Sequence, residues 1–141
     1  MKFLIPTDGS DASFSALKEA VALAKKCQET SEITLLSVHD DIGLIHVRNY
    51  LGKKELQEYL RNISETEMAR ATRWALKMEV DIKKVIKVGH VSDTILSYIE
   101  KTKPDMVVMG SKGRSGLMDV LLGSVAQRVA SKSTAPVLLV K

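Results

Sequence analysis

The residues of this sequence best suited to chemistry lie in a glycine-rich stretch between positions 106 and 134. An apolar run ends at Gly110, and Gly113, Gly116 and Gly123 follow before a helical pattern begins. A strand, a glycine-rich loop and a helix in that order place free backbone N–H groups and the positive end of a helix dipole beside the loop. That arrangement favours an anion such as phosphate. The alternative is that the glycines only permit the turns of an ordinary connection.

Polar side chains in the loop fit the same chemistry. Lys112 and Arg114 could add positive charge to a phosphate site, and Ser111 and Ser115 could add hydroxyl donors. The sequence contains neither a G-x-x-x-x-G-K-[ST] nor a G-x-G-x-x-G phosphate loop. The two best-known loops of this kind are therefore excluded.

The end of the loop carries a helix-start signal. Ser124 is followed three residues later by Gln127, which is a capping-box pattern. The pattern predicts Ser124 as the N-cap of a helix that starts just after Gly123.

Strands and helices alternate along the whole chain, and this alternation must position the loop. Apolar runs predict five strands, at residues 3–5, 33–38, 80–88, 106–109 and 137–140. Apolar residues at helical spacing predict four helices, from Ser10 as N-cap to about residue 28, from about residue 53, over residues 92–101, and after residue 123. Such alternation predicts an α/β fold with a doubly wound parallel sheet and helices on both faces. The pattern alone leaves two strand orders open, 2-1-3-4-5 and 3-2-1-4-5.

The long second helix has an irregular apolar stripe. Leu56, Leu60, Ile63, Ala71, Trp74 and Met78 share one side of it, and Glu67 interrupts them. Trp74 is interpreted as a core residue rather than a ligand platform. Residues 39–50 before this helix show no periodicity and are predicted as a loop over one edge of the site.

The glycine spacing resembles that of the ATP-binding universal stress protein family. Gly110, two residues, Gly113, nine residues and then Gly123-Ser124 match the ATP-binding motif of that family. The chain is similar to the family at both ends as well, since IPTDGS looks like its first strand and turn and APVLLVK looks like its last strand. The resemblance covers residues 1–141 and implies one universal-stress-protein-like nucleotide-binding domain.

The resemblance also implies the strand order 3-2-1-4-5 of a Rossmann-like, five-stranded sheet. Strands one and four then lie side by side, and their carboxyl ends flank the switch point at which open α/β sheets bind ligands. Asp8, just past strand one, would face Gly110, just past strand four, across a single crevice.

The resemblance assigns this crevice to ATP and is compatible with Mg²⁺ on the phosphates. The residues that would hold the nucleotide are Pro6, Thr7, Asp8, Val38, Met109, Gly110, Gly113, Arg114, Gly123, Ser124 and Val125. Those up to Val38 look like adenine and ribose contacts, and those from Met109 onward look like phosphate contacts, with the glycines allowing close approach. The carboxylate of Asp8 can accept hydrogen bonds from ribose hydroxyls, although an Asx-turn is its alternative role.

No catalytic group stands out in the sequence. His39, His46 and His90 show neither metal-ligand spacing nor a neighbouring nucleophile, and each is predicted as an exposed loop or turn residue. The loop adds only Asp119 as a further acid for ATP hydrolysis. The leading interpretation is an ATP-binding stress-response or signalling protein that acts as a nucleotide-dependent conformational or partner switch. The alternatives are a slow ATPase or nucleotide-transfer enzyme, and an interaction module that does not bind nucleotide.

Composition narrows the compartment and the partners. The 141 residues are 45% apolar and 27% charged, no apolar run is long enough for a membrane span, and the start turns polar after Ile5. A cytoplasmic protein is expected, with Cys27, the only cysteine, as a packed core thiol. Nucleic-acid binding is not expected despite the net charge of +4, because the basic pairs are scattered and aromatic residues make up only 4%.

The strand order 3-2-1-4-5 leaves strands three and five at the sheet edges. Lysines at 83, 84 and 87 protect strand three against stray pairing, whereas residues 137–140 are all apolar. The sequence therefore predicts a homodimer through the last strand, and the family resemblance points the same way. The alternative is a fifth strand covered only by its own flanking helices.

Overall fold

The computed structural model describes residues 1–27, 30–40, 51–113 and 122–141. The strands are β1 (Lys2–Thr7), β2 (Glu32–His39), β3 (Ile82–Val88), β4 (Met106–Gly110) and β5 (Val137–Val140). The helices are α1 (Asp11–Lys26), α2 (Lys53–Lys77), α3 (Val91–Thr102) and α4 (Ser124–Lys132). In the part of the chain described here, no helix is both long enough and apolar enough to cross a membrane.

The five strands form one parallel sheet in the order β3-β2-β1-β4-β5. This confirms the α/β fold and the order that the family resemblance implied. In the register of the two central pairs, Thr7 lies beside Ser37, and Phe3 lies beside Met106. The carboxyl ends of β1, β2 and β4 therefore lie close together at the same end of the sheet.

Successive strand residues point to opposite faces, so the sheet separates two cores. The core under α1 and α2 includes Phe3, Ile5, Leu17, Leu35 and Met68. The core under α3 and α4 includes Leu4, Leu36, Ile95, Val107 and Val129. Burying each large apolar side chain contributes roughly 1.5–3 kcal/mol to the stability of the fold, so these two layers hold the helices against the two faces of the sheet.

Helix α1 begins as predicted and ends slightly early. Ser10 is the N-cap, with its hydroxyl oxygen accepting from the N–H of Ser13 at 3.2 Å. The helix ends at Lys26 because Cys27 takes an extended conformation, with φ −74° and ψ 134°. Cys27 is half-buried, and its thiol donates to the sulfur of Met1 at 3.2 Å, so it lies past the helix rather than in the core that was predicted for it.

Helix α2 buries a stripe shifted from the predicted one. Its buried residues are Leu60, Ser64, Met68, Ala71 and Ala75. Trp74 is half-buried and packs edge-to-face on Phe14, with ring centroids 5.8 Å apart, which confirms its core role. Met78 was predicted on the apolar stripe and is instead exposed. Ser64 and Met68 are thus buried although they were not on the predicted stripe, whereas the predicted Ile63 is only half-buried.

Candidate functional site

A cavity of about 410 Å³ opens where β1, β2 and β4 end. It is lined by all the predicted site residues that the structure describes, namely Pro6, Thr7, Asp8, Val38, Met109, Gly110, Gly113, Gly123, Ser124 and Val125. Arg114 lies outside the described residues. The structure thus brings together side chains and loops that are far apart in sequence, and their contacts with a ligand stay a prediction.

The turn between β1 and α1 forms one wall of the cavity. The Asp8 Oδ1 atom accepts from the N–H of Ser10 at 3.0 Å, so the Asx-turn that was the alternative role of this residue is present. Gly9, at φ +79°, completes the turn, and its N–H donates to the hydroxyl of Thr7 at 3.2 Å. The Asp8 Oδ2 atom points across the crevice, 3.1 Å from the position that a Cβ atom on Gly113 would take. Asp8 therefore combines the turn with a carboxylate edge that faces the loop after β4.

The start of α4 forms the opposite wall. Gly123 is the N-cap, with φ −66° and ψ 149°, and its carbonyl accepts from the N–H of Gln127 at 2.8 Å. The prediction of Ser124 as N-cap is wrong by one residue, because Ser124 is already helical, but the predicted helix start is confirmed. The first N–H groups of α4, including those of Ser124 and Val125, have no carbonyl one turn earlier in the helix. These donors lie beside the cavity, as an anion site requires.

Two hydrogen bonds hold the loop in place below this helix. The N–H of Ser111 donates to the carbonyl of Val140 at 2.7 Å, and the N–H of Gly123 donates to the carbonyl of Ser111 at 2.8 Å. The ends of the loop are thus fixed to strand β5 and to each other.

The three motif glycines have different neighbours. A Cβ atom on Gly110 would lie 2.8 Å from the carbonyl carbon and Cβ of Ala12, so this glycine allows α1 to pack against β4. Gly110 also lines the cavity, and its role in the close approach of phosphates stays a prediction. A Cβ on Gly113 would crowd Asp8 inside the crevice, whereas a Cβ on Gly123 would meet Ser111 at an ordinary 3.5 Å. All three glycines line the cavity, and a Cβ on Gly113 would approach Asp8 within it.

The cavity is lined by groups of both charges. Asp8 after β1, Asp40 after β2 and Glu67 on α2 contribute carboxylates, and Lys112 and the positive end of α4 contribute positive charge. Across residues 1–27, 30–40, 51–113 and 122–141, no three His, Cys, Asp or Glu residues are grouped so that they could hold a metal ion.

The match between this chain and known proteins extends over its full length. The sequence model of the universal stress protein family matches residues 1–141. This chain belongs to the universal stress protein family. Universal stress protein MJ0531 of Methanocaldococcus jannaschii is 36% identical over 146 residues, which cover 99% of this chain and 81% of that protein.

Solved structures agree with this assignment. Protein MJ0577, a universal stress protein of the same organism, has a structure with a TM-score of 0.84 and 33% identity, covering 99% of this chain and 94% of that one. A more distant family protein of Arabidopsis thaliana, with AMP bound, has a TM-score of 0.69 and 17% identity, covering 100% of this chain and 91% of that one. The latter comparison shows the fold alone.

Part of the cavity wall in this family member was missed from the sequence. His39 was predicted as an exposed loop residue, but it is the last residue of β2 and half-buried. Its Nε2 atom contacts the hydroxyls of Ser64 and Ser37, and Ser37 donates to Glu67 Oε2 at 3.1 Å. Two features of the sequence could have indicated this contact, namely Ser37 inside an apolar strand and Glu67 inside an apolar helix stripe. Both mark positions where a polar group must find a partner from another element.

The remaining histidines lie away from this wall. His90 precedes α3 as its N-cap, and its exposed side chain pairs with Asp93 at 3.1 Å, which confirms the predicted turn position. His46, Asp119 and the loop predicted over residues 41–50 fall outside the described residues.

Proposed function

We propose that the cavity binds ATP and that residues 1–141 act as a single nucleotide-binding domain whose output is a conformational or partner change. The observation that carries the proposal is the convergence of the predicted residues on one cavity at the switch point of the sheet. A volume of about 410 Å³ lies within the range of roughly 300–1,000 Å³ that small-molecule sites occupy.

The two chemical halves of a nucleotide suit the two sides of the cavity. Leu36, Val38, Val91 and Ile95 supply apolar surface for a base. Lys112 and the first N–H groups of α4 suit the phosphates, and the carboxylates opposite would repel them. A nucleotide would therefore lie with its base toward β2 and α3 and its phosphates toward α4. The Arabidopsis relative with bound AMP is consistent with such a ligand.

Magnesium would be held mainly by the phosphates and water. Mg²⁺ commonly keeps several waters and takes only one or two protein carboxylates in nucleotide sites. The Asp8 Oδ2 atom faces Gly113 at the start of the loop. We propose Mg·ATP as the ligand, with Mg²⁺ held by the phosphates and water and Asp8 kept for the ribose.

We also propose that the protein is a cytoplasmic homodimer that pairs through β5. β5 pairs with β4, and Leu138 on it is 37% exposed. An apolar edge strand of this kind can pair with its own copy about a two-fold axis. Slow ATP hydrolysis stays the alternative activity for the same cavity.

Calorimetric titration of Mg·ATP into the wild-type protein and a glycine pair tests the site. Gly113→Val should lower the affinity at least tenfold, because its side chain would enter the crevice beside Asp8. The matched control is Gly52→Val before α2, where a Cβ would meet only the carboxylate end of Glu55 at 3.5 Å. Equal affinities in all three proteins would remove the cavity as the ATP site.

Asp8→Asn separates the turn from the ligand contact. Asparagine keeps a side-chain oxygen for the N–H of Ser10 but loses the negative charge. Because charge-assisted hydrogen bonds are about twice as strong as neutral ones, we expect affinity for adenosine and for ATP to fall by a similar factor of about ten. Unchanged adenosine binding would limit Asp8 to its turn.

A further inference from the structure

Four side chains link α2 to the end of β2 along the polar side of the cavity. The Ser37 hydroxyl donates to Glu67 Oε2 at 3.1 Å, and His39 Nε2 lies 3.3 Å from the Ser37 oxygen. His39 Nε2 also contacts the hydroxyl of Ser64 on α2. Both serines are 0% exposed, while His39 and Glu67 line the cavity. Buried hydroxyls therefore anchor two titratable side chains at the cavity wall.

The direction of one hydrogen bond in this network is fixed. A serine hydroxyl has one proton, and Ser37 donates it to Glu67 because a carboxylate can only accept. Whether His39 Nε2 donates or accepts toward Ser37 and Ser64 depends on the tautomer of the imidazole. Glu67 Oε2 is thus bonded to β2 through Ser37.

The backbone of Glu67 is also held close to the β1–α1 turn. A Cβ atom on Gly9 would lie 3.3 Å from the Cα and carbonyl oxygen of Glu67, so α2 packs directly on the turn that presents Asp8. A neighbouring cavity of about 570 Å³ shares Asp8, Glu67 and Gly113 with the first. Glu67 therefore lines both openings together with Asp8.

We propose that Glu67 is a specificity-determining residue that accepts a hydrogen bond from the nucleoside half of the ligand. This inference rests on the proposed nucleotide site. A carboxylate selects groups that donate, and on a nucleoside these are the ribose hydroxyls and the amino group of the base. Phosphate is excluded as the partner, because two negative charges at short range repel each other.

A ligand contact by Glu67 would affect selectivity in a way that a structural role would not. If Glu67 only joined α2 to the sheet, its replacement would weaken the binding of every nucleotide equally. If it accepts from the ligand, an analogue without the donor loses that hydrogen bond, and the wild-type protein discriminates against the analogue.

Glu67→Gln is the sharpest variant, because Ser37 still needs an acceptor. The amide oxygen takes the place of Oε2 beside the Ser37 hydroxyl, which turns the amide N–H₂ toward the ligand. An acceptor in the cavity is thereby exchanged for a donor at nearly constant shape. Glu65→Gln is the matched control, since Glu65 lies on the same helix and its exposed carboxylate pairs with Arg61.

Calorimetry would compare ATP with three analogues, 2′-deoxy-ATP, 3′-deoxy-ATP and the triphosphate of purine riboside, which lacks the amino group. We expect the wild type and Glu65→Gln to prefer ATP over one of them by about tenfold, and Glu67→Gln to lose that preference. The analogue concerned identifies the donor as a hydroxyl or an amino group.

Two results would overturn the proposal in different ways. Unchanged ratios among the four ligands in Glu67→Gln, whether or not all affinities fall together, would show that Glu67 has no ligand contact and leave the nucleotide site intact. A wild-type protein that binds none of the four would remove the proposed function and this inference with it.

Discussion

Replacing Gly110 with alanine should destabilise the protein, and the size of the effect follows from the packing of α1. The added Cβ would lie 2.8 Å from both the carbonyl carbon and the Cβ of Ala12, and 3.0 Å from the backbone nitrogen of Ser13. Carbon atoms in contact are normally about 3.5–4.0 Å apart. Two of these atoms belong to the backbone of α1 and the third is the Cβ of Ala12, so α1 itself must move away from β4.

The expected loss of stability is roughly 1–2 kcal/mol. Overpacking a well-packed core costs about 1–3 kcal/mol. Part of this is offset, because alanine restricts the unfolded chain more than glycine does, which is worth about 0.4–1 kcal/mol.

Urea unfolding followed by circular dichroism measures this difference. With a typical slope of about 1–3 kcal/mol per molar urea, the midpoint of Gly110→Ala should fall by on the order of 1 M. Gly123→Ser is the control, since a Cβ there meets Ser111 at 3.5 Å and serine is favoured at an N-cap. A Gly110→Ala protein as stable as the wild type would show that the contact between α1 and β4 does not require glycine.

Two further predictions concern turnover and assembly. ATP hydrolysis measured by phosphate release should be far below the median enzyme rate of about 10 per second, and turnover near that rate would contradict a binding role. The carbonyls of Pro136 and Val140 accept hydrogen bonds from the β4 side, so the backbone N–H of Leu139, between them, points outward from the sheet. Leu139→Pro removes this outward donor and should therefore convert a dimer to monomers, as measured by light scattering at micromolar concentration. Leu138→Pro should instead weaken the β4–β5 pairing, and a monomeric wild type would refute the dimer.

The sequence was informative where a property depends on local order along the chain. The alternation of apolar runs and helical stripes predicted the elements, and the family resemblance predicted the strand order that places the ends of β1 and β4 at one crevice. Ser10 was found as an N-cap because its bond to Ser13 spans only three residues. Such contacts can be inferred from neighbours in sequence.

The sequence was less informative where two distant elements share a contact. Glu67 was interpreted as an interruption of the stripe and His39 as a loop residue, because the partner of Glu67, Ser37, lies on β2 and a partner of His39, Ser64, lies on α2. The reason for Gly110 was missed in the same way, since the atom that a side chain would strike belongs to Ala12. The prediction of Ser124 as N-cap was wrong for another reason, because Gly123 can take the N-cap position without a side-chain acceptor.

The hydrogen bonds of Ser111 give the loop a mechanical connection to the edge of the sheet. Its N–H is held by Val140, and its carbonyl holds Gly123, so the residue joins the start of α4 to the last strand. A displacement of Ser111 would therefore strain its hydrogen bond to the strand that we propose as the dimer edge. If the protein both binds nucleotide and dimerises, the factor by which nucleotide changes the dimer affinity must equal the factor by which dimerisation changes the nucleotide affinity.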